Sequence, residues 1–237
     1  MKSKFGFLAK LEFLQTLASY LISGINPAVI HNIEKYYTLK KVHYLSAIED
    51  VTGDYLEFGV FTGSSFCHSI RCNKKLQYLN LNVSKTRFFG FDSFTGFGKI
   101  ENDDKHPFYT DENFKTDKDK VEKRVKKVAG NCEFTLIAGY FSDSLSNGPK
   151  SFGIEKSSII FVDSDTYSSS NEALTFCDET VQEGTFIILD DYYSYKGSIK
   201  KGVKKAFDEF IKRNNISARR VFTYGMGGAV FIVAGCN

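Results

Sequence analysis

The chain has no tryptophan, only three prolines and no low-complexity run. With 42% hydrophobic and 25% charged residues, this rules out a disordered or fibrous protein. Charge of either sign is also scarce as an excess: 31 basic and 28 acidic residues leave a net charge of +3. A balance that close gives no field to attract nucleic acid, so no nucleic-acid partner is expected. The five cysteines (Cys67, Cys72, Cys132, Cys177, Cys236) form no CxxC pair, and the four histidines (His31, His43, His68, His106) are equally dispersed. That pattern fits neither a zinc site nor a secreted disulfide framework, and reduced thiols in a cytoplasmic protein are expected. Lys10 and Glu12 interrupt the apolar run near the N-terminus, which argues against a signal-peptide core. No stretch is long enough to span a bilayer.

Aromatic residues are abundant, with 23 Phe and 13 Tyr among 237 residues. Surface scaling has a chain of this length burying roughly 70% of its unfolded surface. One sizeable, aromatic-rich core is therefore possible without disulfides.

The periodicity divides the chain in two. Phe7, Leu8, Leu11, Phe13, Leu14, Leu17 and Leu21 recur at helical spacing over Phe5 to Leu21, with Gly24 and Pro27 as the stop. A second helical stretch covers about Ala28 to Glu49. These helices are expected to cap the main domain, and their wide apolar face makes a homodimer or a membrane-surface contact the sharper alternative. From residue 54 the pattern alternates. Apolar runs at 55–60, 87–92, 133–137, 158–163 and 185–191 predict buried strands, and helical segments near 64–76, 117–129, 168–181 and 198–213 lie between them. Strands alternating with helices predict a parallel sheet with helices on both faces. Val221–Tyr224 and Ala229–Val233, joined by Gly225-Met-Gly-Gly, predict a closing hairpin. Residues 97–116 are polar with embedded aromatics and are expected to form a lid, in which His106 and Tyr109 are candidate substrate contacts.

In open parallel sheets ligands sit at the carboxyl ends of the strands. After the first strand comes Glu57-Phe-Gly59-Val-Phe-Thr-Gly63-Ser64-Ser65. Its G-x-x-x-G spacing is neither the dinucleotide fingerprint nor a P-loop, but it lets backbone approach a ligand next to a helix N-terminus. Asp92 ends the second strand in Gly-Phe-Asp92-Ser93, where an acidic residue accepts ribose hydroxyls. Asp163-Ser-Asp165 ends the fourth strand and Asp190-Asp191 the fifth. Carboxylates gathered there repel unless a cation neutralises them, and all-oxygen donors favour Mg²⁺, Mn²⁺ or Ca²⁺. Lys196, Lys200, Lys201, Lys204 and Lys205 form a basic cluster, read as a solvated face or as a guide for an anionic acceptor.

Five segments in order, Leu56–Ser65, Gly90–Gly96, Ile137–Leu145, Phe161–Ser170 and Leu189–Tyr192, resemble the successive motifs of the macrocin O-methyltransferases, over about residues 50 to 233. The resemblance implies a Rossmann-like class I methyltransferase fold: α/β, a mostly parallel seven-stranded sheet with a C-terminal antiparallel hairpin. It implies a methyltransferase domain over 51–237 with the lid insert at 97–116, while the N-terminal helical cap over 1–50 is expected from periodicity alone, since those helices match the family poorly. It implies S-adenosylmethionine as cofactor with Mg²⁺ (or Mn²⁺), and methylation of a sugar hydroxyl on a small-molecule or glycan acceptor. Position by position, Glu57, Gly59 and Gly63 build the methionine-side loop, with Ser64 and Ser65 near the carboxylate. Asp92 holds the ribose with Ser93 beside it. Gly139, Tyr140 and Phe141 lie near the adenine. Asp163, Asp190 and Asp191 bind the metal, Asp163 is also the base, and Asp165 supports the cofactor or the metal shell. Ser164 stands where the family often has Gly. A catechol-type acceptor is the main variant within this class. A nucleotide-sugar glycosyltransferase using Asp163-Ser-Asp165 as its DxD is a rival that leaves the glycine loop, Asp92 and Asp190-Asp191 unused.

Overall fold

The computed structural model describes residues 11–109 and 114–236. The beginning of the first expected helix, and residues 110–113 of the expected lid, lie outside the described residues. The described residues open with two helices, α1 (Glu12–Ser23) and α2 (Pro27–Ile48). Asn26 caps α2 by accepting the Ala28 N–H at 2.9 Å, and Pro27 occupies the first turn, where its missing N–H costs nothing. Then follow β1 (Asp54–Phe58), α3 (Ser64–Leu76), β2 (Phe88–Asp92), α4 (Lys118–Ala129) and β3 (Phe134–Ala138). The chain ends with β4 (Ser157–Val162), α5 (Tyr167–Phe176), β5 (Phe186–Leu189), α6 (Gly202–Arg213), β6 (Ile216–Tyr224) and β7 (Gly228–Cys236).

The seven strands form one sheet in the order β3-β2-β1-β4-β5-β7-β6. β1 to β5 run parallel, and β7 pairs antiparallel with both β5 and β6. The expected parallel sheet and terminal hairpin are both present. The hairpin is longer than the apolar runs suggest: β6 begins at Ile216, because Ser217, Arg219 and Arg220 pair through backbone while their side chains are not buried. The last large helix starts at Gly202 rather than near 198, because Tyr195, Lys196, Gly197 and Gly202 all take positive φ and break any helix before it.

Side-chain alternation sorts the strands into two cores. Leu56, Phe58, Phe91, Ile160, Val162, Ile187 and Leu189 face α5 and α6, where Leu174, Phe176, Val203 and Phe210 meet them. Tyr55, Phe88, Ile159, Phe161, Phe186 and Ile188 face the other way, toward Leu39 and Val42 of α2, Phe66 and Ile70 of α3, and Val121 and Val125 of α4. Each large side chain so buried contributes about 1.5–3 kcal/mol. α1 by contrast has no buried residue.

Candidate active site

One row across the sheet builds the site. Phe91, Phe58, Val162 and Leu189 are successive partners in register. The next residue on each strand is therefore Asp92, Gly59, Asp163 or Asp190. All four share the parity of Tyr55, Phe161 and Ile188, so they belong to the sheet face that α2 and α3 cover. Gly59 has φ +97°, and a Cβ there would collide with the Asp163 carbonyl; only glycine lets the two strand ends close up.

A cavity of about 720 Å³ opens over this row. Gly59, Asp92, Ser93, Gly139, Tyr140, Phe141, Asp163, Asp165, Asp190 and Asp191 all line it. Glu57, Gly63, Ser64 and Ser65 lie outside its lining. Glu57 is fully buried and instead braces the loop, accepting the Ser65 hydroxyl at 2.6 Å and the Tyr55 hydroxyl. Burial pushes its carboxyl up to about 7 against the pull of those two donors. Gly63 takes φ +75° at the start of α3, where Val121 would crowd a Cβ. Asp92 accepts the Phe61 N–H at 2.7 Å and the Phe94 N–H at 2.6 Å, which fixes its carboxylate beside the glycine loop. Burial raises its pKa, and those backbone bonds partly offset the rise.

At the other end of the row the carboxylates converge. Asp163, Asp190 and Asp191 each present an oxygen within 4.8 Å of the others. Asp165 holds a left-handed φ of 60° and shares a hydrogen bond with Asp191. Burial, and then the neighbouring carboxylates, push Asp163, Asp165 and Asp191 above the ordinary aspartate range. Asp190 goes the other way: burial would raise it, but Lys35 and His31 outweigh that and hold it low. Three all-oxygen donors at this spacing, with a surplus of negative charge, fit a hard divalent cation such as Mg²⁺ or Mn²⁺.

Four residues that sequence reasoning missed complete the cluster. Lys35 of α2 places Nζ 2.8 Å from Asp163 Oδ2 and 2.7 Å from Asp190 Oδ2. His31 Nε2 lies 3.0 Å from Asp190 Oδ2, and its Nδ1 accepts the Met226 N–H at 3.2 Å, so in the neutral ring Nε2 is the donor. The Tyr224 hydroxyl donates to Asp190 Oδ1 at 2.5 Å. Ser194 donates to Asp191 Oδ1 at 3.1 Å, the oxygen that also takes the Tyr109 hydroxyl at 3.0 Å. Tyr109 was anticipated as a substrate contact but not as an aspartate partner. One signal was readable for Lys35: it precedes Leu39 and Val42 by four and seven residues, a lysine on the apolar face of its helix.

Described residues of the expected lid segment contribute to the cavity lining. They are Phe97, His106, Phe108, Tyr109 and Phe114, and the His106 ring stacks on Tyr109 at 4.2 Å. Asp104 anchors the segment by accepting the Tyr167 N–H at 2.8 Å and the Ser168 N–H at 3.2 Å, at the start of α5. Its carbonyl accepts the Tyr195 hydroxyl at 2.8 Å.

Comparison with known proteins addresses the family and the fold. The family model described as Macrocin-O-methyltransferase (TylF) matches residues 34–223. A curated relative, mycinamicin III 3''-O-methyltransferase of Micromonospora griseorubida, is 27% identical over 179 residues, covering 70% of this chain and 66% of its own length, just under two thirds. Among solved structures, the O-methyltransferase NovP superposes with a TM-score of 0.67 at 19% identity, over 84% of this chain and 79% of NovP. The calicheamicin methyltransferase CalS11 gives 0.65 at 17%, over 83% and 77%. A Bacillus cereus O-methyltransferase in complex with SAH gives 0.56 at 16%, over 94% and 89%. The fold is the Rossmann-like class I methyltransferase fold.

Proposed function

The chain belongs to the macrocin-O-methyltransferase (TylF) family, and from that premise we propose that it is an S-adenosylmethionine- and divalent-metal-dependent O-methyltransferase. Its acceptor is a sugar hydroxyl on a glycan, nucleotide sugar or glycosylated natural product. The observation that carries this reading is the single register row that puts the Gly59 turn, Asp92, Asp163 and Asp190 along one cavity. A glycosyltransferase DxD needs only Asp163 and Asp165. It leaves the rest of the row without a purpose.

Each residue then has a task. The loop of Glu57, Gly59 and Gly63, with Ser64 and Ser65 at the start of α3, shapes the methionine end of the cofactor site. Asp92, held by two backbone N–H groups, takes the ribose hydroxyls, with Ser93 beside it. Gly139, Tyr140 and Phe141 flank the adenine, and Asp165 supports this side of the site. Asp163, Asp190 and Asp191 would hold Mg²⁺ or Mn²⁺. When bound, such an ion lowers the pKa of a coordinated hydroxyl and fixes its direction. An alkyl hydroxyl is otherwise a poor nucleophile near neutral pH, and the protein's share of the work is to hold it in line with the methyl group and to exclude water. The proton passes to Asp163, the carboxylate at the end of β4 that lines the cavity.

The test is calorimetry followed by turnover. S-adenosylmethionine binds and nucleotide sugars alone do not compete with it. Methyl transfer to a panel of nucleotide sugars, glycosides and catechols requires added magnesium and stops with a chelator. Asp190→Asn together with Asp191→Asn abolishes turnover and spares cofactor binding. Full, chelator-resistant activity in that double variant overturns the metal role. Methylation of the catechols alone moves the acceptor to the aromatic class.

A further inference from the structure

The first part of α2 is fastened in an unusual way. From Pro27 to Glu34 no side chain is buried, and His31 alone in that stretch is half-buried while the others are exposed. Burial of α2 starts at Lys35 and continues through Thr38, Leu39 and Val42. What ties the exposed turns down is polar: Lys35 on Asp163 and Asp190, His31 on Asp190, and Glu34 accepting the Gly225 N–H at 2.6 Å. The same turns form a wall of the cavity through Asn26, Pro27, Ala28, His31 and Asn32.

Lys35 also stands where a cation belongs. Its ammonium bridges Oδ2 of Asp163 and Oδ2 of Asp190, two of the three carboxylates in the candidate metal group. Asp190 has little left to give, since its Oδ1 takes Tyr224 and its Oδ2 takes both Lys35 and His31. A second cation drawn to these oxygens is repelled by the first and competes for the same lone pairs.

We propose that Lys35 is the resident counter-cation of the aspartate cluster, which a divalent ion must displace, so that metal loading unlatches the first turns of α2 from the cavity wall. This rests on the reading of Asp163, Asp190 and Asp191 as a metal site. Metal binding, position of the N-terminal helix and access to the cavity become one linked event. An ammonium leaving two carboxylates is balanced by the ion that replaces it, so no carboxylate is left buried and unpaired.

Magnesium and manganese, each alone, are titrated calorimetrically into the full chain and into its Lys35→Gln and Lys35→Arg variants. Hydrogen exchange over residues 27–36 is followed with and without magnesium. Lys35→Gln is expected to bind magnesium at least tenfold tighter. Lys35→Arg, which keeps the charge, is expected to stay within about threefold of the native chain. Magnesium is expected to speed exchange over 27–36 in the native chain and to have no such effect in Lys35→Gln. If magnesium binds but Lys35→Gln binds it no tighter, or if exchange over 27–36 ignores the ion, the latch is wrong and the metal site stands. If neither metal binds any of the three proteins while S-adenosylmethionine still does, the metal reading falls and the latch with it. The exchange arm needs only the native chain, so it decides the matter even where Lys35→Gln does not fold.

Discussion

Gly59 in the cavity lining and Glu57 beneath it carry tests that do not depend on the acceptor. Gly59 is held at φ +97° against the Asp163 carbonyl, so Gly59→Ala adds both strain and a backbone collision. Backbone strain alone costs about 1–3 kcal/mol, and the collision adds to it. Urea unfolding is expected to show a loss of at least that size, whereas a loss below about 0.5 kcal/mol, the usual range for a neutral surface change, contradicts the packing. Glu57 gives a pH signature. Its carboxyl is pushed up to about 7 in the folded chain, against about 4.3 when unfolded. Between those values the folded state holds a proton that the unfolded chain has released, so this contribution to stability is present below about pH 4.3 and is lost as pH rises to 7. Thermal unfolding across pH 4.5–7.5 is expected to show a shallower slope in Glu57→Gln than in the native chain. Identical slopes place the titration elsewhere.

At the level of elements, the lid segment and α2 bring side chains from far along the chain to the strand ends. Asp104 fastens the lid to the N-terminus of α5, immediately after the Asp163–Asp165 loop, and Tyr109 extends from that lid to Asp191. Removing a cap of this kind costs about 0.5–2 kcal/mol. Asp104→Ala is expected to raise KM for the acceptor several-fold while leaving the S-adenosylmethionine affinity within twofold, as read by steady-state kinetics and calorimetry. Equal loss of both places Asp104 in general stability instead. The strands and their terminal aspartates were legible in the sequence because strands buried on both faces read as unbroken apolar runs, and because parallel order forces the residues after them to one edge. Lys35, His31 and Tyr224 were not. They lie 128, 159 and 34 residues from the aspartates they touch, and only the path of α2 over the sheet, with the return of β6, brings them there. Glu57, expected in the methionine-side loop, lies within β1 on the same face as Gly59 but two residues deeper, where it is buried beside Ser65 and outside the cavity lining.

In the molecule as a whole, the N-terminal helices carry exposed apolar side chains. Phe13, Leu17, Tyr20, Leu21 and Ile22 of α1 are exposed, as are Ile33 and Tyr37 of α2. An unsupported 12-residue helix is marginal in water, and exposed apolar side chains of this size suit an interaction face. No single described helix is long and apolar enough to cross a membrane, although α1 and α2, bent by 91°, pass the length and composition test together. An S-adenosylmethionine site and a divalent-cation site are proposed to lie side by side on one strand-end row. A crystal grown with S-adenosylhomocysteine and manganese decides between the outcomes. One anomalous peak bounded by Asp163, Asp190 and Asp191, and a ribose on Asp92, are expected. A manganese peak elsewhere, or a nucleoside that never meets Asp92, contradicts this arrangement.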